Sequence, residues 1–143
     1  MDIASRVRLP LLLLRIGVFI VMLMWTLDKF VRPGHAAGVY KKFYQLDLGS
    51  PTVFYVIGAV ELVLLLLFVT GTAKRVSYAA VLVLHAVSTV SSYRQYMAPF
   101  DNLLFFAAWP MLAACIALYL LRDLDTLWAV PRTRLPAPLA RLG

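Results

Sequence analysis

Apolar residues in this chain gather in four long runs and do not alternate with polar ones. The first run covers about residues 9–30 and contains LLLL followed by IGVFIVMLMW, with one charge, Arg15, well inside. The second covers about 52–70, with Glu61 as its sole charge. The third, about 76–97, is the least apolar and carries His85, Ser88, Thr89, Ser91, Ser92 and Arg94. The fourth covers about 102–121. A helix needs roughly 20 apolar residues to cross the hydrocarbon core of a bilayer. Strands of a membrane barrel alternate in polarity, and these runs do not. The first run is too long for a cleaved leader, and no small-x-small site follows it closely, so it reads as retained. The pattern predicts an all-α, membrane-spanning four-helix bundle.

The ends of the runs carry residues suited to helix termini. Pro51 can open the second helix, where its missing N–H costs nothing, and Gly71 can close it. Asp101 or Asn102 can cap the fourth. Only Gly71-Thr72-Ala73-Lys74-Arg75 separates the second and third runs, which makes those helices antiparallel neighbours. Trp25, Tyr55, Tyr96 and Tyr119 fall near the expected interfaces. The first loop, 31–50, is too long for a plain turn. Within it, GVYKKFYQLDLGS spaces Val39, Phe43 and Leu46 as one face of a helix, predicting an interfacial amphipathic helix of roughly ten residues; the same residues would serve a lid over the bundle mouth. The division is a membrane domain over 1–121 and a basic tail over 122–143. From Pro131 onward that tail holds three prolines and three arginines, which predicts a mobile, surface-bound segment.

Composition supports the membrane reading. Of 143 residues, 62% are hydrophobic and 15% charged, against roughly half and a quarter in soluble domains. So short a chain cannot bury that much in a core of its own. The net charge of +7 would suggest nucleic acid in a soluble protein, so the cations have to be located. Arg6, Arg8, Lys74, Arg75, Arg122, Arg132, Arg134 and Arg141 fall on the side of both termini, eight in all. Lys29, Arg32, Lys41, Lys42 and Arg94 fall opposite, five in all. The bias places both termini in the cytoplasm of a bacterial inner membrane. It explains the basic excess by topology and anionic lipid, with no role for nucleic acid. The lone Cys115 excludes an internal disulfide and reads as a packing residue.

Three ionisable residues lie inside the runs, where each costs several kcal/mol unless paired or hydrated. Counting from the run ends at about 1.5 Å per residue puts Arg15 about 9 Å deep and Glu61 and His85 about 13 Å deep. Similar depths predict a buried Arg15–Glu61 ion pair. His85, Ser88, Thr89, Ser92 and Tyr96 recur by one, three and four, forming a polar stripe on one face of the third helix. Two readings follow. The polar residues are glue between helices, or they line a pocket for a ligand, proton or redox molecule. Asp28, Lys29, Arg32, Arg94 and Asp101 read as a solvated rim. His35 and His85 lie too far apart to share a metal, and no phosphate loop or nucleophile elbow is present.

The segments LLRIGVFIVMLMWTLDKF, LGSPTVFYVIGAVELVLLLLFVTGTAKR and FDNLLFFAAWPMLAACIALYLL resemble the DoxX-like family of small four-helix membrane proteins. The matching features are Arg15 early in the first helix, the Gly58-x-x-Glu61 step, and Gly71 followed by Lys74 and Arg75. The resemblance covers about residues 9–121. The first helix departs from it, since relatives often carry glycine where this chain has Thr26 or Leu27. The family includes a small subunit of thiosulfate:quinone oxidoreductase, a methylamine dehydrogenase maturation protein and membrane partners of redox-defence enzymes. The resemblance therefore implies a membrane component of a redox or maturation system without identifying a substrate, and a polar pocket beside Glu61 and His85 would suit a quinone or a small sulfur compound. It equally implies a non-enzymatic adaptor or maturation factor. Either would work with a protein partner or a second copy of itself, without an autonomous catalytic motif.

Overall fold

A computed structural model describes residues 2–131 and 136–142. Among them every regular element is helical: α1 (Ile3–Val31), α2 (Pro33–Val39), α3 (Pro51–Val69), α4 (Lys74–Ser91), α5 (Tyr93–Tyr96), α6 (Ala108–Leu120) and α7 (Ala137–Ala140). A π-helical turn, Tyr40–Tyr44, extends α2, and a 3₁₀ turn, Leu103–Ala107, leads into α6.

α1 begins six residues before its apolar run. The carbonyl of Asp2 takes the N–H groups of Ser5 and Arg6, and helical hydrogen bonding continues through Arg6 and Arg8 whatever their polarity. α3 matches its run closely. Ser50 accepts from the Thr52 N–H at 3.3 Å, and Pro51 takes the first helical position. At its other end Gly71, at φ +64°, receives the chain in the left-handed region. There the Thr72 N–H donates to the Leu67 carbonyl and the Gly71 N–H to that of Phe68, the two bonds of a Schellman cap.

Two elements depart from expectation. The third run is not one helix over 76–97, because α4 ends at Ser91 and the chain breaks at Ser92 before α5. Local hydroxyls compete for the backbone here. Ser92 Oγ donates to the Ser88 carbonyl at 3.1 Å, and Thr89 Oγ1 to that of His85 at 2.8 Å. Neither Asp101 nor Asn102 caps the fourth helix. Asn102 Nδ2 instead donates back to the Ala98 carbonyl at 3.0 Å, and the entry into α6 is a 3₁₀ turn.

α1 packs on α3 and α6, and α4 packs on the same two helices. Leu11, Val18, Met22, Leu65, Phe68, Tyr78, Val81, Cys115 and Leu118 fill the core between them. Among the described residues, three helices are long and apolar enough to cross a membrane: Ile3–Val31, Pro51–Val69 and Leu103–Leu120. Only 28%, 22% and 11% of their most apolar windows are buried inside the protein. The outward faces therefore need lipid, as in an integral membrane protein. α4, with its histidine and hydroxyls, is not among the three.

The packed unit runs beyond residue 121. The chain folds back after α6, burying Asp125 completely, and the Val130 N–H donates to the Thr70 carbonyl at 2.9 Å. The expected mobile tail falls partly on residues 132–135, outside the described residues.

Candidate functional site

The site is built where Gly58 lets α1 and α3 approach closely. A Cβ on Gly58 would lie 2.8 and 2.9 Å from atoms of the Phe30 ring and 3.4 Å from Lys29 Cβ. Glycine thus lets α3 lie directly on α1 at the level of Lys29. Glu61 is three residues further along α3, on the same side of the helix. Lys29 Nζ meets Glu61 Oε2 at 2.8 Å, and Thr26 Oγ1 donates to the same oxygen at 3.1 Å. Lys29 also donates to the Trp25 carbonyl at 3.2 Å. The Gly-x-x-Glu step has a physical content: the glycine grants the approach and the glutamate uses it.

Glu61 is therefore not the partner of Arg15. The antiparallel register sets Thr26 and Lys29 against Glu61, while Arg15 lies against Gly71, where a Cβ would stand 2.7 Å from its Nη1. Eleven residues of helix, about 16 Å, separate Arg15 from Thr26. Depth counted from run ends missed this because α1 extends well past the end of α3. Arg15 instead pairs with Asp125 at 3.3 Å and donates to Tyr78 Oη at 3.3 Å and to the Leu127 carbonyl. Tyr78 donates to Asp125 at 2.7 Å, and Lys74 donates to the carbonyls of Arg122 and Asp125. Arg15 and Asp125 are both fully buried.

A cavity of about 870 Å³ opens beside the Lys29–Glu61 pair. Trp25, Tyr40, Phe43, Tyr44 and Phe105 supply its aromatic walls, and Met22, Met24, Leu84 and Val87 its aliphatic ones. Its mouth carries Asp28, which holds Arg32 Nη2 at 2.6 Å and His35 Nδ1 at 2.5 Å. Arg32 and His35 are more than half exposed, as a rim should be, but Lys29 is buried and departs from that expectation. Burial, with the charge of Glu61 nearby, pushes the Tyr40 hydroxyl up to about 12, so it stays a neutral donor. Lys29 Nζ also lies 5.8 Å from the Tyr40 ring centroid.

The polar stripe of α4 divides between two neighbours. Ser88 and Ser92 line the cavity. His85 is buried behind its wall, stacked on Trp25 with centroids 5.9 Å apart. Its Nε2 lies 3.0 Å from the Ala108 carbonyl, which only accepts, so the proton sits on Nε2. Nδ1 has no hydrogen-bond partner among the described residues. Thr89 bonds within α4, and Tyr96 packs against Phe106 and Trp109; neither lines the cavity.

Of the expected site residues, Glu61, Ser88 and Ser92 meet at the cavity, His85 stands one ring behind it, and Arg15 belongs elsewhere. Lys29, Thr26 and Asp125 were not anticipated. A signal for the first two was present. Arg15, Val18, Met22, Thr26 and Lys29 recur by three and four along α1, and all five are buried. Among the described residues, no group of three or more His, Cys, Asp or Glu could hold a metal ion. Comparison of the chain with family models, characterised proteins and solved structures gives no match.

Proposed function

We propose that this chain is a four-helix integral membrane protein, with both termini in the cytoplasm of a bacterial inner membrane. Its cavity binds a small ligand, such as a quinone or a small sulfur compound, as part of a redox-linked system. One observation carries the reading: an aromatic-walled cavity of about 870 Å³ with the Lys29–Glu61 charge pair at its edge. Small-molecule sites combine this size, mostly apolar walls and a few convergent polar groups. Lys29 and the neutral Tyr40 hydroxyl are donors suited to the carbonyl oxygens of a flat ring, and Trp25 and Phe43 are surfaces suited to its faces. In this reading α4 is the fourth span, with its polar side turned inward, and α2 with its π-turn lies at the interface as a lid. The likeness of Arg15, Gly58, Glu61 and Gly71 to DoxX-like proteins points the same way.

The Arg15–Asp125 cluster favours a second reading, an adaptor or maturation factor for a protein partner. There the buried charges pair with each other, with Arg15 Nε and Asp125 Oδ1 left without a partner among the described residues, and serve packing alone. Native mass spectrometry of the gently solubilised protein separates the two. The ligand reading expects a bound small molecule that disappears in Glu61→Gln. A bound protein with an empty cavity in both forms would favour the adaptor.

A further inference from the structure

We infer that the occupant of this cavity is a neutral flat ring bearing a hydroxyl group, a hydroquinone or phenol, whose O–H donates to Glu61. The inference rests on the ligand-binding reading and narrows it, choosing a hydroxylated ring over an anionic sulfur compound. The charges that line the cavity are already matched. Lys29 is answered by Glu61 at 2.8 Å and Arg32 by Asp28 at 2.6 Å. His35, the remaining basic group among the described lining residues, leans on the other oxygen of Asp28 at 2.5 Å. An entering anion would find each cation with a carboxylate already on it, and would face the carboxylates as well. It would also leave water for walls that are mostly aromatic and aliphatic, which disfavours a charge that gains no partner.

Hydrogen-bonding atoms, by contrast, remain on offer. A carboxylate accepts at both of its oxygens. Thr26 Oγ1 and Lys29 Nζ both approach Glu61 Oε2, while the Glu61 side chain stays 17% exposed and lines the cavity. Oε1 is thus the acceptor left for a guest. An ammonium group has three hydrogens, and on Lys29 Glu61 and the Trp25 carbonyl take two of them. The third, together with the Tyr40 hydroxyl, can serve an oxygen on the ring. A ring hydroxyl answers both needs at once, since its oxygen accepts from Lys29 and its hydrogen goes to Glu61. A ring with carbonyls alone is still held by the donors, but it leaves the facing carboxylate oxygen without a partner, which is costly away from water. Trp25, Tyr40 and Phe43 supply surfaces for the ring faces in either case.

The test uses the full chain in lipid nanodiscs, with Kd read by calorimetry and the signal of empty nanodiscs of the same lipid subtracted. The probes are hydroquinone under argon, its dimethyl ether and thiosulfate. The ether keeps the ring and both oxygens but has no hydrogen to give. Hydroquinone should bind about tenfold more tightly than the ether, as one bond to a charged group allows, and thiosulfate more weakly than either ring. Glu61→Gln should bring hydroquinone down to the level of the ether. An ether that binds as tightly as hydroquinone, or a preference for hydroquinone that survives in Glu61→Gln, overturns the inference while the ligand reading stands. Thiosulfate binding tighter than either ring does the same. If none of the three binds the unaltered protein, the ligand reading falls and this inference with it.

Discussion

The two buried charge clusters use similar chemistry to opposite ends. At the end where α1 begins and α6 finishes, Arg15, Asp125, Tyr78 and the Leu127 carbonyl close on one another with no measurable exposure of either charge. At the loop end, Lys29 and Glu61 also pair, but Glu61 keeps 17% of its side chain exposed beside a cavity. A sealed network gives a ligand no access, even though Arg15 Nε and Asp125 Oδ1 lack partners among the described residues, and its strength is that the two charges are paired away from water. An open pair retains donors and acceptors that a guest can use. On the ligand-binding reading proposed above, the first cluster serves stability and the second recognition.

The largest effect should follow from breaking the sealed cluster. Arg15→Met strands the Asp125 carboxylate and the Leu127 carbonyl, at a cost of about 3–5 kcal/mol. Thermal unfolding in detergent should show it, and the Arg15→Met/Asp125→Leu double variant should recover part of the loss. A loss in the double variant equal to the sum of the singles would deny a direct pair. Gly71→Ala comes next. It places a Cβ at φ +64° and against both Arg15 Nη1 and Ala129 Cβ at 2.7 and 2.8 Å, for a cost of about 1–3 kcal/mol. Gly58→Ala should cost about 1 kcal/mol, since the Phe30 ring it meets can turn aside.

The loop-end pair should show a smaller stability change than the sealed cluster. Glu61→Gln keeps shape and the bond from Thr26, so unfolding should shift by only about 1–2 kcal/mol, while ligand binding is lost. The smallest effect belongs to Lys41–Asp47, an exposed pair at 3.0 Å. Its hydrogen bond to Lys41 holds the Asp47 carboxyl below the ordinary range. Any stabilisation it gives is therefore present above the unfolded value near 4 and fades as pH falls through the lower folded value. Asp47→Asn should leave the melting temperature unchanged at neutral pH, because surface pairs contribute little. A clear drop would mean that the segment after α2 carries more of the fold than its exposure implies.

What the sequence revealed and concealed follows the same division. Helix α3 was legible from Pro51 to Gly71 because its apolar run coincides with local cap chemistry. α4 was overextended to 97 because hydropathy does not record hydroxyls bonding back to carbonyls at Thr89 and Ser92. Glu61 was recognisable as a buried charge, but its partner was not, since the register between helices is set by close approach at Gly58. Lys29 was hidden by lying at the end of its run, although its helical phase matched Arg15. Asp125 was hidden more deeply. Nothing in a polar segment after the last run records that it folds back to meet a residue 110 positions earlier.

The comparison between the clusters can be tested in one measurement: the rise in melting temperature that a water-soluble benzoquinone produces. A ligand that binds only the folded protein stabilises it, by more the further its free concentration exceeds its Kd. We expect a rise in the unaltered protein, none in Glu61→Gln, and a retained rise from a lower starting temperature in Asp125→Asn. A rise in Glu61→Gln equal to that of the unaltered protein would contradict the assignment of recognition to the Lys29–Glu61 cavity.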